Sequence, residues 1–132
     1  MIVLDTHILI WWCDGDDKLS AKAKERINVA LELEEEIMIS SISSWEVSML
    51  VSKSRLTLTM DVDTWIQTVS EIENVKFVPV DNKVAIESTR LPDEFHKDPA
   101  DRMIVALART LSAPLITADE KILNYPHVKT IF

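Results

Sequence analysis

The sequence predicts a three-layer α/β fold, with a central, mostly parallel sheet of four to five strands and helices on both faces. Three observations predict it. Short apolar runs of strand length recur along the chain. Stretches with apolar residues at helical spacing separate them, and that alternation implies right-handed crossovers between parallel strands. The 132 residues fit one domain, long enough to bury a core without disulfides.

Ile2-Val3-Leu4 is the first strand. His7 to Cys13 stays apolar without alternation and reads as a short helix, closed by a turn over Cys13 to Asp17. Ser20 stands as N-cap to a long helix from Ala21 to Glu36, with Ala23, Ile27, Ala30 and Leu31 as its apolar face. The acidic run Glu32 to Glu36 reads as its solvated end. Ile37-Met38-Ile39 is the second strand, followed by a helix from Ser41 to Lys53 carrying Ile42, Trp45, Met49 and Leu50. Arg55 to Met60 is loop. Asp61 or Asp63 caps the next helix, built on Trp65, Ile66, Val69 and Ile72. Val75 to Val78 is the third strand, ended by Pro79. Asp81 caps a helix from Lys83 to Leu91, which Pro92 should stop. Asp98-Pro99 opens another, since proline suits the first helical position. Leu115-Ile116-Thr117 is the fourth strand, Asp119 to Leu123 a short helix, and Val128 to Phe132 the last strand.

Composition removes several function classes. A single glycine, Gly15, argues against a phosphate-binding loop or a dinucleotide fingerprint, which need several. A single cysteine, Cys13, can form neither an internal disulfide nor a multi-thiolate zinc site, and it is expected to be buried. No basic leader followed by a long apolar run is present, so the protein is expected in the cytoplasm and off the membrane. The net charge of −8 is unlike that of a general nucleic-acid binder. It fits either a solvated acidic surface or a cation site, and a basic partner suits both.

In an open α/β sheet ligands bind outside the carboxyl ends of the strands. Asp5 follows the first strand directly, and Asp119 follows the fourth by two residues. Glu46 lies early in the helix after the second strand, and Asp98 and Asp101 open the helix before the fourth. Each acid has a plainer reading. Asp98 and Asp119 are good N-caps, Asp101 suits a helix dipole, and Ser43 with Glu46 has the spacing of a capping box. Asp5 is hardest to explain away, because a carboxylate beside a buried strand is costly unless paired. Two charges about 4 Å apart repel by about 4 kcal/mol at an effective dielectric of ~20. A divalent cation removes that penalty. Oxygen donors without cysteine select Mg²⁺ or Mn²⁺ over Zn²⁺, and the matching chemistry is phosphodiester hydrolysis.

Four segments carry a resemblance: Leu4-Asp5-Thr6-His7, Ser44-Trp45-Glu46, His96-Lys97-Asp98-Pro99-Ala100-Asp101-Arg102, and Leu115-Ile116-Thr117-Ala118-Asp119. Together they resemble the motifs of PIN-domain nucleases, nearest the VapC toxins of bacterial toxin–antitoxin pairs, over nearly the whole chain. The resemblance implies a PIN-like fold and a cytoplasmic Mg²⁺- or Mn²⁺-dependent endoribonuclease cutting tRNA or rRNA. It implies Asp5, Glu46, Asp101 and Asp119 as the catalytic acids, with Asp98 as a further metal ligand. Thr6, Thr117 and Arg102 are implied supports, Thr117 by holding a metal-bound water. It implies a homodimer and a basic VapB-like antitoxin.

Other residues carry less weight. Arg102, Lys97 and Lys121 stand near the acids in sequence and could hold phosphate, though each is most simply solvated, and His7 and His96 are candidates for proton transfer. Of the adjacent Trp11 and Trp12, one should be core and the other a base or dimer contact. The rival readings are a Mg²⁺-binding receiver-like domain, a phosphatase with an Asp nucleophile, and an inactive PIN-like scaffold. His7 stands where the phosphatase would want its second acid, and the intact quartet speaks against the scaffold.

Overall fold

A computed structural model describes residues 1–132. Five strands form one sheet: β1 (Ile2–Leu4), β2 (Ile37–Ser40), β3 (Val75–Val78), β4 (Leu115–Ile116) and β5 (Thr130–Ile131). Their order is β3-β2-β1-β4-β5 and every pairing is parallel. Successive strands step outward from β1 to β3, and the chain then returns to lay β4 on the other side of β1. That reversal opens a crevice at the carboxyl ends of β1 and β4.

The pleat divides the core. Ile2 and Leu4 of β1, with Ile37 and Ile39 of β2, face one way. They pack under α1 (Thr6–Asp14), α2 (Ala21–Glu32), α3 (Ser41–Ser52) and α4 (Val62–Ser70). Val3 and Met38 face the other way, against α5 (Asn82–Ser88), α6 (Pro99–Leu111) and α7 (Glu120–Leu123). Covering on both faces is why these strands are apolar throughout.

Several elements are shorter than the sequence predicts. Helix α2 ends at Glu32, because Glu34 takes a left-handed conformation (φ 56°). The acidic run beyond it is not simply solvated. Glu35 accepts two hydrogen bonds from Arg26 and one from the Met1 amine, and Glu36 pairs with Lys76. Helix α5 stops at Ser88, short of Leu91. The Ser88 carbonyl would take its helical hydrogen bond from residue 92, which is proline and has no N–H. Arg102 Nε donates to that carbonyl instead, at 2.8 Å. The last strand is trimmed to Thr130–Ile131.

Three side chains depart from expectation. Cys13 is exposed, on the outer side of α1. Trp11 and Trp12 are both half-buried against the same core, rather than divided between core and surface. No helix is long and apolar enough to cross a membrane.

Candidate metal centre

The first acid is fixed by its strand. Asp5 leaves β1, caps α1 and is only 6% exposed. One carboxylate oxygen, Oδ1, accepts from the Thr6 amide at 2.8 Å, and the other, Oδ2, accepts from Thr117 Oγ1 at 2.7 Å. Burial still pushes its pKa up, against those hydrogen bonds. Thr117 stands at the end of β4, fully buried. Its one hydroxyl hydrogen goes to Asp5, and its oxygen accepts from the Asp119 amide at 3.1 Å. Its hydroxyl therefore aligns Asp5 and has no proton left to donate to a water.

Glu46 arrives from α3, which Ser40 caps by accepting from the Ile42 amide. The capping box read into Ser43 and Glu46 is therefore absent, because the helix starts three residues earlier than that reading requires. Glu46 Oε1 instead accepts from Thr6 Oγ1 at 2.6 Å, and Thr6 Oγ1 lies 2.7 Å from Ser43 Oγ. Thr6 has a single hydroxyl hydrogen. Once it is given to Glu46, the Ser43 hydroxyl must be the donor to Thr6. The chain runs one way, from Ser43 through Thr6 to the carboxylate, and fixes Glu46 beside Asp5. The spacing of Ser43 and Glu46 was the visible signal. It places both on one face of α3, and only packing against α1 shows what that face meets.

Helix α6 brings the remaining acids. Asp98 is its N-cap, with Oδ1 accepting from the Asp101 amide at 3.0 Å. Asp101 lies one turn in and mostly buried. Its pKa is pushed up to about 8, first by burial and then by Asp5, Asp98, Asp119 and Glu46 in turn. Glu46 is raised too, by burial, Asp5 and Asp98, against the Thr6 hydrogen bond. Asp119 caps α7, accepting from the Lys121 and Ile122 amides. The structure thus gathers five acids from four segments at the crevice between β1 and β4.

The neighbouring cations do little to offset them. Arg102, read as a support for phosphate, gives its guanidinium to the carbonyls of Ser88, Phe95 and His96. It ties down the loop that leads into Asp98. Lys97 and Lys121 are exposed. His7 is exposed beside Trp11. His96 Nε2 stands 2.9 Å from Asp101 Oδ2, without hydrogen-bond alignment and with no other partner.

The donor set fits a hard cation. It is carboxylate oxygen throughout, and Asp101 is pushed toward its neutral form by burial first and by like charges second. No three acidic, histidine or cysteine side chains stand close enough together to enclose an ion by themselves. An open arrangement suits Mg²⁺, which keeps several waters and takes only one or two carboxylates.

The chain as a whole is similar to known proteins. The PIN domain family matches residues 2–128. Ribonuclease VapC22 of Mycobacterium tuberculosis is 31% identical over 130 residues, covering 98% of this chain and 95% of that protein. In the crystal structure of VapBC2 from Rickettsia felis bound to a promoter DNA fragment, one chain superposes with a TM-score of 0.71. It is 19% identical, and 98% of this chain and 97% of that one are covered. A toxin–antitoxin complex from Klebsiella pneumoniae gives a TM-score of 0.65 at 23% identity, covering 97% and 95%. A match over almost the whole length, on a five-stranded parallel sheet with acids at its β1–β4 crevice, assigns this chain to the PIN-domain family.

Proposed function

We propose that this chain is a divalent-metal-dependent endoribonuclease, the toxin of a type II toxin–antitoxin pair. One observation carries the metal dependence: Asp101 sits among four other acids with its pKa pushed up to about 8. A fold stabilised for its own sake has no reason to crowd like charges without cations. Bound there, Mg²⁺ or Mn²⁺ supplies the means to acidify a water and to offset charge on a phosphate. Asp5 and Asp101 are the proposed principal ligands, with Glu46 and Asp119 completing the catalytic quartet. Asp98 contributes its free oxygen, since the other caps α6. Thr117 and the Ser43–Thr6 pair hold Asp5 and Glu46 in place.

The biological setting is supported by likeness. The relative from Mycobacterium tuberculosis is named a ribonuclease, and the solved neighbours include VapBC and toxin–antitoxin complexes. The substrate is RNA, with tRNA or rRNA as the proposed class, in the cytoplasm. The neutralising partner is a basic VapB-like antitoxin, because arginine binds a carboxylate with two parallel hydrogen bonds. A homodimer is the proposed assembly.

The test is direct. Purified protein is incubated with total tRNA and rRNA, with and without Mg²⁺ or Mn²⁺, beside Asp5→Asn. Metal-dependent cleavage that the variant loses is expected, as is growth arrest when the wild-type chain is expressed alone. Soluble protein that cuts no RNA with either metal and leaves growth unaffected overturns the proposal.

A further inference from the structure

Four of the five acids have a carboxylate oxygen held by a hydrogen bond from the protein. Asp5 accepts from the Thr6 amide and Thr117 Oγ1, and Glu46 accepts from Thr6 Oγ1. Asp98 and Asp119 accept from backbone amides at the starts of α6 and α7. The Asp101 carboxylate is held by none. The group that meets it is the His96 ring, whose Nε2 stands 2.9 Å from Oδ2. That Nε2 is also the only buried side-chain polar atom in the chain without a hydrogen-bond partner. The ring is fixed from both sides. Phe95 packs edge-to-face on it, with 4.5 Å between ring centroids, and rests in turn on buried Tyr125. The Tyr125 hydroxyl donates to the Pro92 carbonyl, at the start of the same loop. Arg102, the residue after Asp101, clamps the Phe95 and His96 carbonyls to α6.

We propose that His96 is the positioning residue for Asp101, donating its Nε2–H to Oδ2 and leaving Oδ1 free to take the metal. The proposal rests on the metal-centre reading and adds how the one unheld acid of that site is aimed. An ionised Asp101 can only accept, so a hydrogen bond across this contact must take its proton from Nε2. A neutral ring in that tautomer suffices. The two groups are close without being aligned, and a small rotation of ring or carboxylate aligns them. Contacts at such sites often tighten in this way only when the site is loaded. A hydrogen bond to a ligating carboxylate fixes its orientation, as it does for Asp5 and Glu46 here. Nε2 is covered and turned onto Asp101, away from any RNA. The ring therefore orients a ligand and does not pass a proton to substrate.

Two measurements test this. Calorimetric titration with Mn²⁺ compares wild type, His96→Ala and His96→Gln, whose side-chain amide offers an N–H in place of Nε2. His96→Ala is expected to lose roughly tenfold in Mn²⁺ affinity, as for other residues that orient a ligand, and His96→Gln to recover most of it. The KM for RNA at saturating metal should not move, because the ring touches no substrate. The second measurement needs no folded alanine variant. Nitrogen-15 spectra of the histidine rings are recorded on Mg²⁺-loaded wild type and assigned by the signal that His96→Gln removes. A proton on Nε2 of His96 is expected, and a bare Nε2 overturns the proposal. A His96→Ala protein that melts lower yet binds Mn²⁺ as tightly as wild type has lost only packing, and the proposal is overturned while the metal centre stands. A raised KM with unchanged Mn²⁺ affinity places the ring on the substrate and overturns it likewise. Wild-type protein that binds no Mn²⁺ overturns the metal-centre reading itself, and this proposal falls with it.

Discussion

Acids at the two ends of this sheet are treated in opposite ways. At the amino-terminal edge, Glu35 follows α2 and is met by Arg26 and the Met1 amine. Its pKa falls to about 2, chiefly through the Arg26 hydrogen bonds. At the carboxyl edge, Asp101 is met by burial and four more acids, and its pKa rises to about 8. The chain has 22 acidic and 14 basic side chains, so cations are available to it. Arginine and the chain amine are placed at the first edge, whereas the second has only His96 beside Asp101 and His7 near Asp5 and Glu46. Arg102, the arginine nearest Asp101 in sequence, is turned onto backbone carbonyls. An edge this poorly compensated suits the divalent cation proposed for it.

The largest expected effect breaks that contrast at its centre. Asp101→Asn should lower RNA cleavage by more than about a hundredfold, beyond the ~10–100-fold typical of residues that only orient a ligand. The same change should raise the melting temperature of metal-free protein, because a buried repelling carboxyl becomes a neutral amide. Calorimetry beside a cleavage assay reads both. A variant that loses stability in the absence of metal would show that the acids are not in conflict.

The contrast also sets the pH dependence of the metal-free protein. Asp101 moves from 3.8 to about 8 on folding, so the folded state holds its proton more tightly. Its contribution is full below pH 3.8 and is lost as pH rises toward 8. Glu35 moves from 4.5 to about 2, so its contribution is full above 4.5 and lost as pH falls toward 2. Urea midpoints should therefore peak at about pH 4 and decline on both sides. Saturating Mg²⁺ should remove the decline on the alkaline side alone, and Asp101→Asn should remove it without metal. Midpoints that stay flat from pH 5 to 8 would count against the crowded edge.

A smaller effect is expected one step back from the acids. Ser43→Ala deletes the donor to Thr6 and frees Thr6 to turn from Glu46. The metal concentration for half-maximal cleavage should rise by roughly tenfold, as for other residues that orient a ligand. Isothermal titration with Mn²⁺ should show the same shift in affinity. Unchanged metal affinity would mean that Glu46 is held by something other than the hydroxyl chain.

The smallest effect belongs to the compensated edge. Glu35→Gln weakens a partly exposed pair and should cost about 1 kcal/mol at neutral pH. That is a fall of a few degrees in melting temperature. Cleavage and metal affinity should not move. A change in either would show that the two edges are coupled through β1 and β2, and the contrast between them would need redrawing.

Much of the candidate site was legible because its acids follow strand ends, and a strand end fixes where a residue lies in a parallel sheet. Asp5 after Ile2-Val3-Leu4 and Asp119 after Leu115-Ile116-Thr117 could be placed on that ground. The partners of those acids were not legible. Thr117 meets Asp5 across 112 residues, and Thr6 meets Ser43 and Glu46 across 37 and 40. Local spacing offered Ser43 and Glu46 a capping box, and the actual cap at Ser40 overrode it.

By itself, the sequence determined the alternation of strands and helices, the burial of the sheet on both faces, and most helix starts. Those follow from short-range rules: apolar runs, capping side chains and the fixed φ of proline. Only the tertiary structure decided where α5 ends, what Arg102 holds, and which way the hydroxyls beside Glu46 donate. It also decided that Cys13 and Trp45 face outward. Each of these depends on which distant group arrives to take a hydrogen bond or cover a face, and a local pattern carries no record of that.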